Sequence, residues 1–172
     1  MKRTLFLILL SAAFMAAPSV YSHAQSICRL KPTTTVLLYP EGQEAEKGLP
    51  EALGPKLSNG ITGPEWSDET GRIGSISDSA RVDIYLPKKC NGQMIVVCPG
   101  GGYRYVSALK EGLHVADWMT ARGIAVAVVK HRMPEGHWEV PLIDVQNAFR
   151  YCRTHAAEWG ISQIGVMGFS AG

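Results

Sequence analysis

Two short stretches of this chain carry residue types that could do covalent chemistry. The first is Gly168-Phe169-Ser170-Ala171-Gly172, a serine with glycine two residues away on either side. A serine hydroxyl becomes an effective nucleophile only when a positioned base takes its proton. The Gly-x-Ser-x-Gly spacing fits a sharp, strained turn that lifts such a hydroxyl out of the end of a strand. Glycines on both sides let that turn close and let neighbouring backbone come near. The second stretch is Pro99-Gly100-Gly101-Gly102-Tyr103. Consecutive glycines leave backbone N–H groups free to face a ligand, and donors aimed where charge develops on an acyl oxygen form an oxyanion hole. A plain tight turn is the other reading, while a nucleotide P-loop is excluded because no Gly-Lys-Ser/Thr follows.

A nucleophilic turn of this kind needs a strand before it, and Ile164 to Met167 is an apolar run that supplies one. Upstream, Arg81 to Leu86 alternates polar and apolar, Asn91-Gly92 marks a turn, and Met94 to Cys98 is apolar, which together read as a hairpin. Leu109, Leu113, Ala116 and Met119 share one helix face, which Gly123 ends. Ile124 to Val129 reads as a strand buried on both faces. Pro141 then opens a helix whose Val145, Phe149, Cys152, Ala156 and Trp159 form one stripe, stopped by Gly160. Strand, helix, strand, helix, strand with short joints predicts the α/β class, a mostly parallel sheet with helices on both faces. Ligands gather at the carboxyl ends of such strands, so the loops after Cys98, Val129 and Met167 should share one edge.

Within its 172 residues the chain is 46% hydrophobic and 19% charged, which suits one globular domain and excludes a disordered chain or a multi-span membrane protein. Residues 1–24 read as a secretory signal. Lys2 and Arg3 precede the apolar run Leu5 to Leu10, and Ser22-His23-Ala24 offers a cleavage site. A membrane anchor is the other reading, but the run is short for a span of about 20 residues. A secreted or periplasmic location follows, with no membrane attachment after cleavage. Without Lys2 and Arg3 the basic and acidic residues balance, and nothing favours a nucleic-acid partner. Residues 25–80 read as an N-terminal strand, Thr33 to Tyr39, followed by a Gly- and Pro-rich surface excursion, and residues 81–172 as the α/β unit. Of the cysteines, Cys28 and Cys90 lie in loop-like sequence and are the favoured bridge in an oxidising compartment, whereas Cys98 and Cys152 read as buried thiols.

The stretches VVCPGGGYRYV, HRMPEGHWEVPLIDVQNAFRYCRTHAAEWGI and IGVMGFSAG together resemble the α/β-hydrolase superfamily. Within it they look like bacterial esterases similar to acetyl xylan esterases and hormone-sensitive-lipase-type enzymes. The resemblance runs from about Arg81 to Gly172, with glycine loop, Asp-bearing helix and serine turn in family order. It implies Ser170 as nucleophile, the N–H groups of Gly101, Gly102 and Ala171 as oxyanion hole, and an acyl-enzyme reaction with no cofactor and no metal. Pro99 stands where related lipases carry histidine, as in the esterase branch, which implies carbohydrate acetyl esters rather than long-chain lipids. Tyr103 and Trp138, on loops of the same edge, could stack on a sugar ring or serve packing alone.

In this family an Asp or Glu and then a His follow the serine. Only Ala171 and Gly172 follow here, so the 172 residues are expected to be the N-terminal part of the fold and inactive by themselves. His131 and His137 fall on the active edge as loop histidines, substrate contacts or a substitute base. Asp144 is expected to complement its helix dipole. A serine peptidase of the same fold, or a non-catalytic binding or truncated protein, remains the alternative.

Overall fold

The computed structural model describes residues 30–39, 64–76, 79–134 and 136–172. In chain order the described strands are β1 (Thr34–Leu37), β2 (Trp66–Ser67), β3 (Arg72–Gly74), β4 (Arg81–Tyr85), β5 (Gln93–Cys98), β6 (Val106–Ser107), β7 (Ala125–Lys130) and β8 (Gln163–Gly168). The helices are α1 (His114–Thr120), entered through a π-helical stretch at Ala108–Leu113, and α2 (Glu139–His155). The signal segment and Cys28 lie outside the described residues, as does most of the excursion. No described helix is long and apolar enough to cross a membrane.

β7 has five consecutive buried residues, Ala125 to Val129, because it is the middle strand of five in the order β1-β4-β7-β5-β8. β5 runs parallel to both β7 and β8, with Val96 opposite Ala127 on one side and Val166 on the other. β4 is antiparallel to β7, pairing Val82 with Val129, and β1 is antiparallel to β4. The expected hairpin of β4 with β5 is therefore not formed, since β7 occupies the slot between them. Turn chemistry at Asn91-Gly92 reverses the chain, and the Gln93 N–H does donate to the Asn91 side chain at 2.9 Å. A local turn does not say how many slots the chain crosses. Leu86 to Gly92 is long enough to clear the roughly 10 Å that one intervening strand takes up.

Apolar residues of alternate parity face opposite sides of the sheet. Val82, Ile84, Met94, Val96, Ala125, Ala127 and Val129 pack with Ala148 and Cys152 of α2. Tyr85, Val97, Val126 and Val128 pack with Ala116 and Met119 of α1. The expected layering, one helix on each face, is present. On α2 the buried stripe is Val140, Asp144, Ala148 and Cys152, while Val145 and Phe149 are only half-buried. The smaller side chains face the sheet where helix and strands come closest. Cys98 and Cys152 are buried free thiols, and burial pushes them up to about 11 and about 12 respectively. Cys90 is half-buried and bonds to no other cysteine among the described residues.

Within the stretch read as a surface excursion lies a hairpin, β2 with β3, which extends through β6 into a second antiparallel sheet. Strands of two or three residues are too short to show an alternating period, which is why the sequence reads as loop. Asp68 closes the hairpin by accepting from the Thr70 hydroxyl at 2.7 Å and from Arg72 Nε at 2.7 Å. Beneath this sheet Ile73 and Val106 bury with Tyr39, Ile76, Ala80 and Met133.

Candidate active site at the carboxyl edge

β8 delivers the serine turn. Ser170 has φ of +52°, a left-handed conformation that side chains with a Cβ rarely adopt. Such strain persists only where the surroundings impose it, and here they do. The Phe169 N–H donates to Cys98 O at 3.1 Å, tying the turn to the end of β5, and the Gly172 N–H donates to Phe169 O at 2.7 Å, closing it. A Cβ on Gly168 would run into the backbone of Gly172, and one on Gly172 would overlap the carbonyl of Cys98. Both flanking glycines are therefore required by close backbone approach. Ser170 itself is exposed.

The glycine loop leaves the neighbouring strand β5 and lies against this turn. A Cβ on Gly100 would overlap Phe169 O and reach within 3.0 Å of the Ser170 Cβ. Gly102 and Tyr103 both have φ of 60°, and Arg104 N–H donates to Gly101 O at 3.1 Å, so Gly101 to Arg104 form a tight turn of the primed kind. Gly100 is held on both sides: its N–H, in the peptide shared with Pro99, donates to Glu111 Oε2 at 2.7 Å, and its carbonyl, in the peptide shared with Gly101, accepts from Ser107 N at 2.8 Å. By contrast, the N–H groups of Gly101, Gly102 and Ala171 donate to nothing among the described residues. Thus Ser170, Ala171 and the glycine loop are brought together at one edge.

The loop after β7 reaches the same edge. His131 is buried, with Nδ1 2.9 Å from Arg132 O and Nε2 3.3 Å from Pro99 O. Both neighbours are carbonyl oxygens, so each ring nitrogen faces a backbone carbonyl rather than a serine hydroxyl. His131 braces the loops after β5 and β7 against each other rather than serving as a base. His137 is half-buried in the same loop. Tyr103 is 55% exposed and Trp138, immediately before α2, 66% exposed. Neither packs against another ring among the described residues.

Asp144 corrects its sequence reading. α2 begins at Glu139, so Asp144 stands in the second turn, fully buried, and serves no helix dipole. Its carboxylate accepts from Arg132 N at 2.7 Å, from Arg132 Nη2 at 2.8 Å and from the Tyr39 hydroxyl at 2.7 Å. Asn147 Nδ2 donates to the same hydroxyl at 3.1 Å. Burial, with Asp144 beside it, raises the Tyr39 phenol above its ordinary range. This network fastens β1's end, the loop after β7 and α2 to one another. The sequence does carry a signal for it: Asp144 falls at four-residue spacing in line with Val140, Ala148 and Cys152. Among the described residues no group of His, Cys, Asp or Glu is arranged to hold a metal ion.

The BD-FAE family profile matches residues 82–172, more than half of the chain and every strand that carries the site loops. The chain belongs to the BD-FAE family. An acetylxylan esterase of Xylanibacter ruminicola is 40% identical over 102 residues, covering 57% of this chain and 21% of that protein. The chain thus spans about a fifth of the length of that curated relative. Among solved structures, an acetyl ester-xyloside bifunctional hydrolase from Caldicellulosiruptor lactoaceticus superposes with a TM-score of 0.53 at 23% identity, over 83% of this chain and 44% of that one. Est2, an esterase of Thermogutta terrifontis, gives a TM-score of 0.48 at 26% identity, over 55% of this chain and 36% of that one. The fold is that of the α/β-hydrolases.

Proposed function

We propose that the protein carrying this chain is a secreted serine esterase that removes acetyl groups from plant-type polysaccharide or oligosaccharide. The observation that supports this most is Ser170, held at positive φ at the end of β8 beside three undonated N–H groups. In this reading the Ser170 hydroxyl attacks the acyl carbon and its proton passes to a base. The carbonyl oxygen of the ester, now bearing negative charge, is held by the N–H groups of Gly101, Gly102 and Ala171. Collapse expels the sugar alcohol, which takes the proton back, and water then hydrolyses the acyl-enzyme by the same steps. Each oxyanion donor contributes about 3 to 4 kcal/mol in such sites. The acid and base are assigned to residues that follow Ser170 in the family order Ser, Asp or Glu, His. The cycle calls for neither metal nor cofactor. Trp138 and Tyr103 supply exposed flat faces for a sugar ring.

The test uses the full-length protein against acetylated xylo-oligosaccharide, a long-chain acyl ester and a peptide amide. Release of acetate, loss of that activity in Ser170→Ala, and a phosphonate adduct on Ser170 are expected. Trp138→Ala is expected to raise KM for the oligosaccharide and leave KM for a small activated ester unchanged. Preferential cleavage of the amide would make the protein a peptidase. No adduct on Ser170 and no turnover would make it a non-catalytic protein.

A further inference from the structure

The Gly100 N–H is the one glycine-loop donor that is already taken, and what takes it is a carboxylate. Glu111 Oε2 lies 2.7 Å from Gly100 N. Gly100 is also the residue nearest the serine turn, with its Cα face against Phe169 O, Ser170 Cβ and Ala171 N. We infer that Glu111 is a positioning residue for the oxyanion loop, fixing the Pro99–Gly100 peptide, where the loop leaves β5, so that the next two N–H groups face the reacting oxygen. The inference rests on the serine-esterase reading above.

The local fold explains why Glu111 can reach. It sits in the π-helical stretch Ala108–Leu113, a widened turn of a kind that is frequent at functional positions. The next residue, Gly112, is buried, and a Cβ there would come within 2.7 Å of the Val128 side chain. The absent side chain lets this turn press onto β7, and Pro99 lies on the same side. Glu111 is half-buried as a result and directed at the loop rather than at solvent. With the Gly100 N–H on Glu111 and the Gly100 carbonyl on Ser107, the two peptides that flank the Gly100 Cα are both held. The Gly101 N–H shares its peptide with the Gly100 carbonyl, so its direction follows from how those two peptides are set, and the turn that Arg104 closes holds the far side. Without the carboxylate the Pro99–Gly100 peptide keeps only the 3.3 Å contact of the Pro99 carbonyl with His131, and the pair of donors beyond it loses its aim.

Positioning by an oxygen acceptor and a purely electrostatic effect of the charge make opposite demands on the variants. Glu111→Gln keeps an acceptor of the same reach and removes the charge. Glu111→Asp keeps the charge and withdraws the acceptor by one methylene. For the full-length protein acting on a short activated ester, kcat is expected to fall about 10- to 100-fold in Glu111→Ala and Glu111→Asp, with KM within about threefold of the parent. The rate of phosphonate adduct formation on Ser170 should fall in proportion. Glu111→Gln is expected to stay within about threefold of the parent in both rates. Parental kcat in Glu111→Asp, or a Glu111→Gln that is as slow as Glu111→Ala, overturns the inference. Should Glu111→Ala not fold, the Asp and Gln pair carries the decision. If the parent protein itself forms no adduct and turns over no ester, the serine-esterase reading falls and this inference falls with it.

Discussion

Replacing Asp144 by alanine tests whether the buried network, rather than the glycine loop or the sheet alone, holds this edge of the molecule. The Arg132 side chain is 2% exposed and that of Asp144 0%, with Arg132 Nη2 2.8 Å from Asp144 Oδ1. The alanine removes the acceptor for Arg132 N, for two guanidinium nitrogens and for the Tyr39 hydroxyl at once. The Tyr39 oxygen at 3.1 Å and the Tyr39 ring, 4.8 Å from the guanidinium carbon, remain beside Arg132. Breaking a buried pair by removing one partner costs about 3 to 5 kcal/mol. In a domain of this size that lowers Tm by about 6 to 20 °C. Thermal and urea melts followed by circular dichroism read it directly. The double variant Arg132→Met, Asp144→Leu should recover much of the loss, because replacing both members of a buried pair by apolar groups is far less costly than removing one. An Asp144→Ala protein within about 1 kcal/mol of the parent, or a double variant no better than the single, refutes the reasoning.

Gly100→Ala should lower kcat on an activated ester by about 100-fold, since the new Cβ must push Phe169 O and the Ser170 side chain aside and displacements of about 1 Å are that costly; steady-state kinetics check it. Cys98 and Cys152, buried and pushed up to about 11 and about 12, should resist alkylation at pH 8 until the protein unfolds, which mass spectrometry of the labelled protein reads. Burial works to raise the Glu65 carboxyl, but hydrogen bonds from Arg81 and Ser79 and the nearby charges outweigh it and lower it, and Asp68 is held well below the carboxylate range chiefly by its Thr70 hydrogen bond. Both groups titrate lower folded than unfolded, so their stabilisation is complete above the ordinary carboxylate value of about 4 and is lost as pH falls through the folded values. Hydrogen-exchange protection at the Gly71 and Arg72 amides, taken relative to the intrinsic rate at each pH, should therefore fall in acid, and by less in Glu65→Gln, Asp68→Asn.

Much of the site is legible in the sequence, because glycine spacing and apolar runs are local signals. The turn around Ser170 needs a preceding strand and two absent side chains, and all three are written in nine consecutive residues. β7 and α2 are legible for the same reason, being long and periodic. The pairing of β4 is not, since its partner β7 lies some forty residues further on and an intervening Asn-Gly turn points to the wrong neighbour. The β2–β3 hairpin carries too few residues to show a period. Glu111 escapes a reading by pattern because its role depends on what faces it from elsewhere, and the in-line spacing of Asp144 marks its burial without naming its partners. A charge in a helix reads as solvated until a backbone amide or a buried guanidinium is found opposite it.

The position of β7 also bears on how the protein is made. β5 pairs only with β7 and β8, both of which are synthesised after it. When Met94 to Cys98 leaves the ribosome it therefore has no native strand to join, and at ordinary translation speeds that interval lasts on the order of seconds before Lys130 emerges. Throughout it an apolar segment with two open edges is available to other nascent chains. The glycine loop that follows β5 cannot be braced by His131 until the same moment. Chaperone occupancy on the nascent chain should therefore be highest between the appearance of β5 and that of β7.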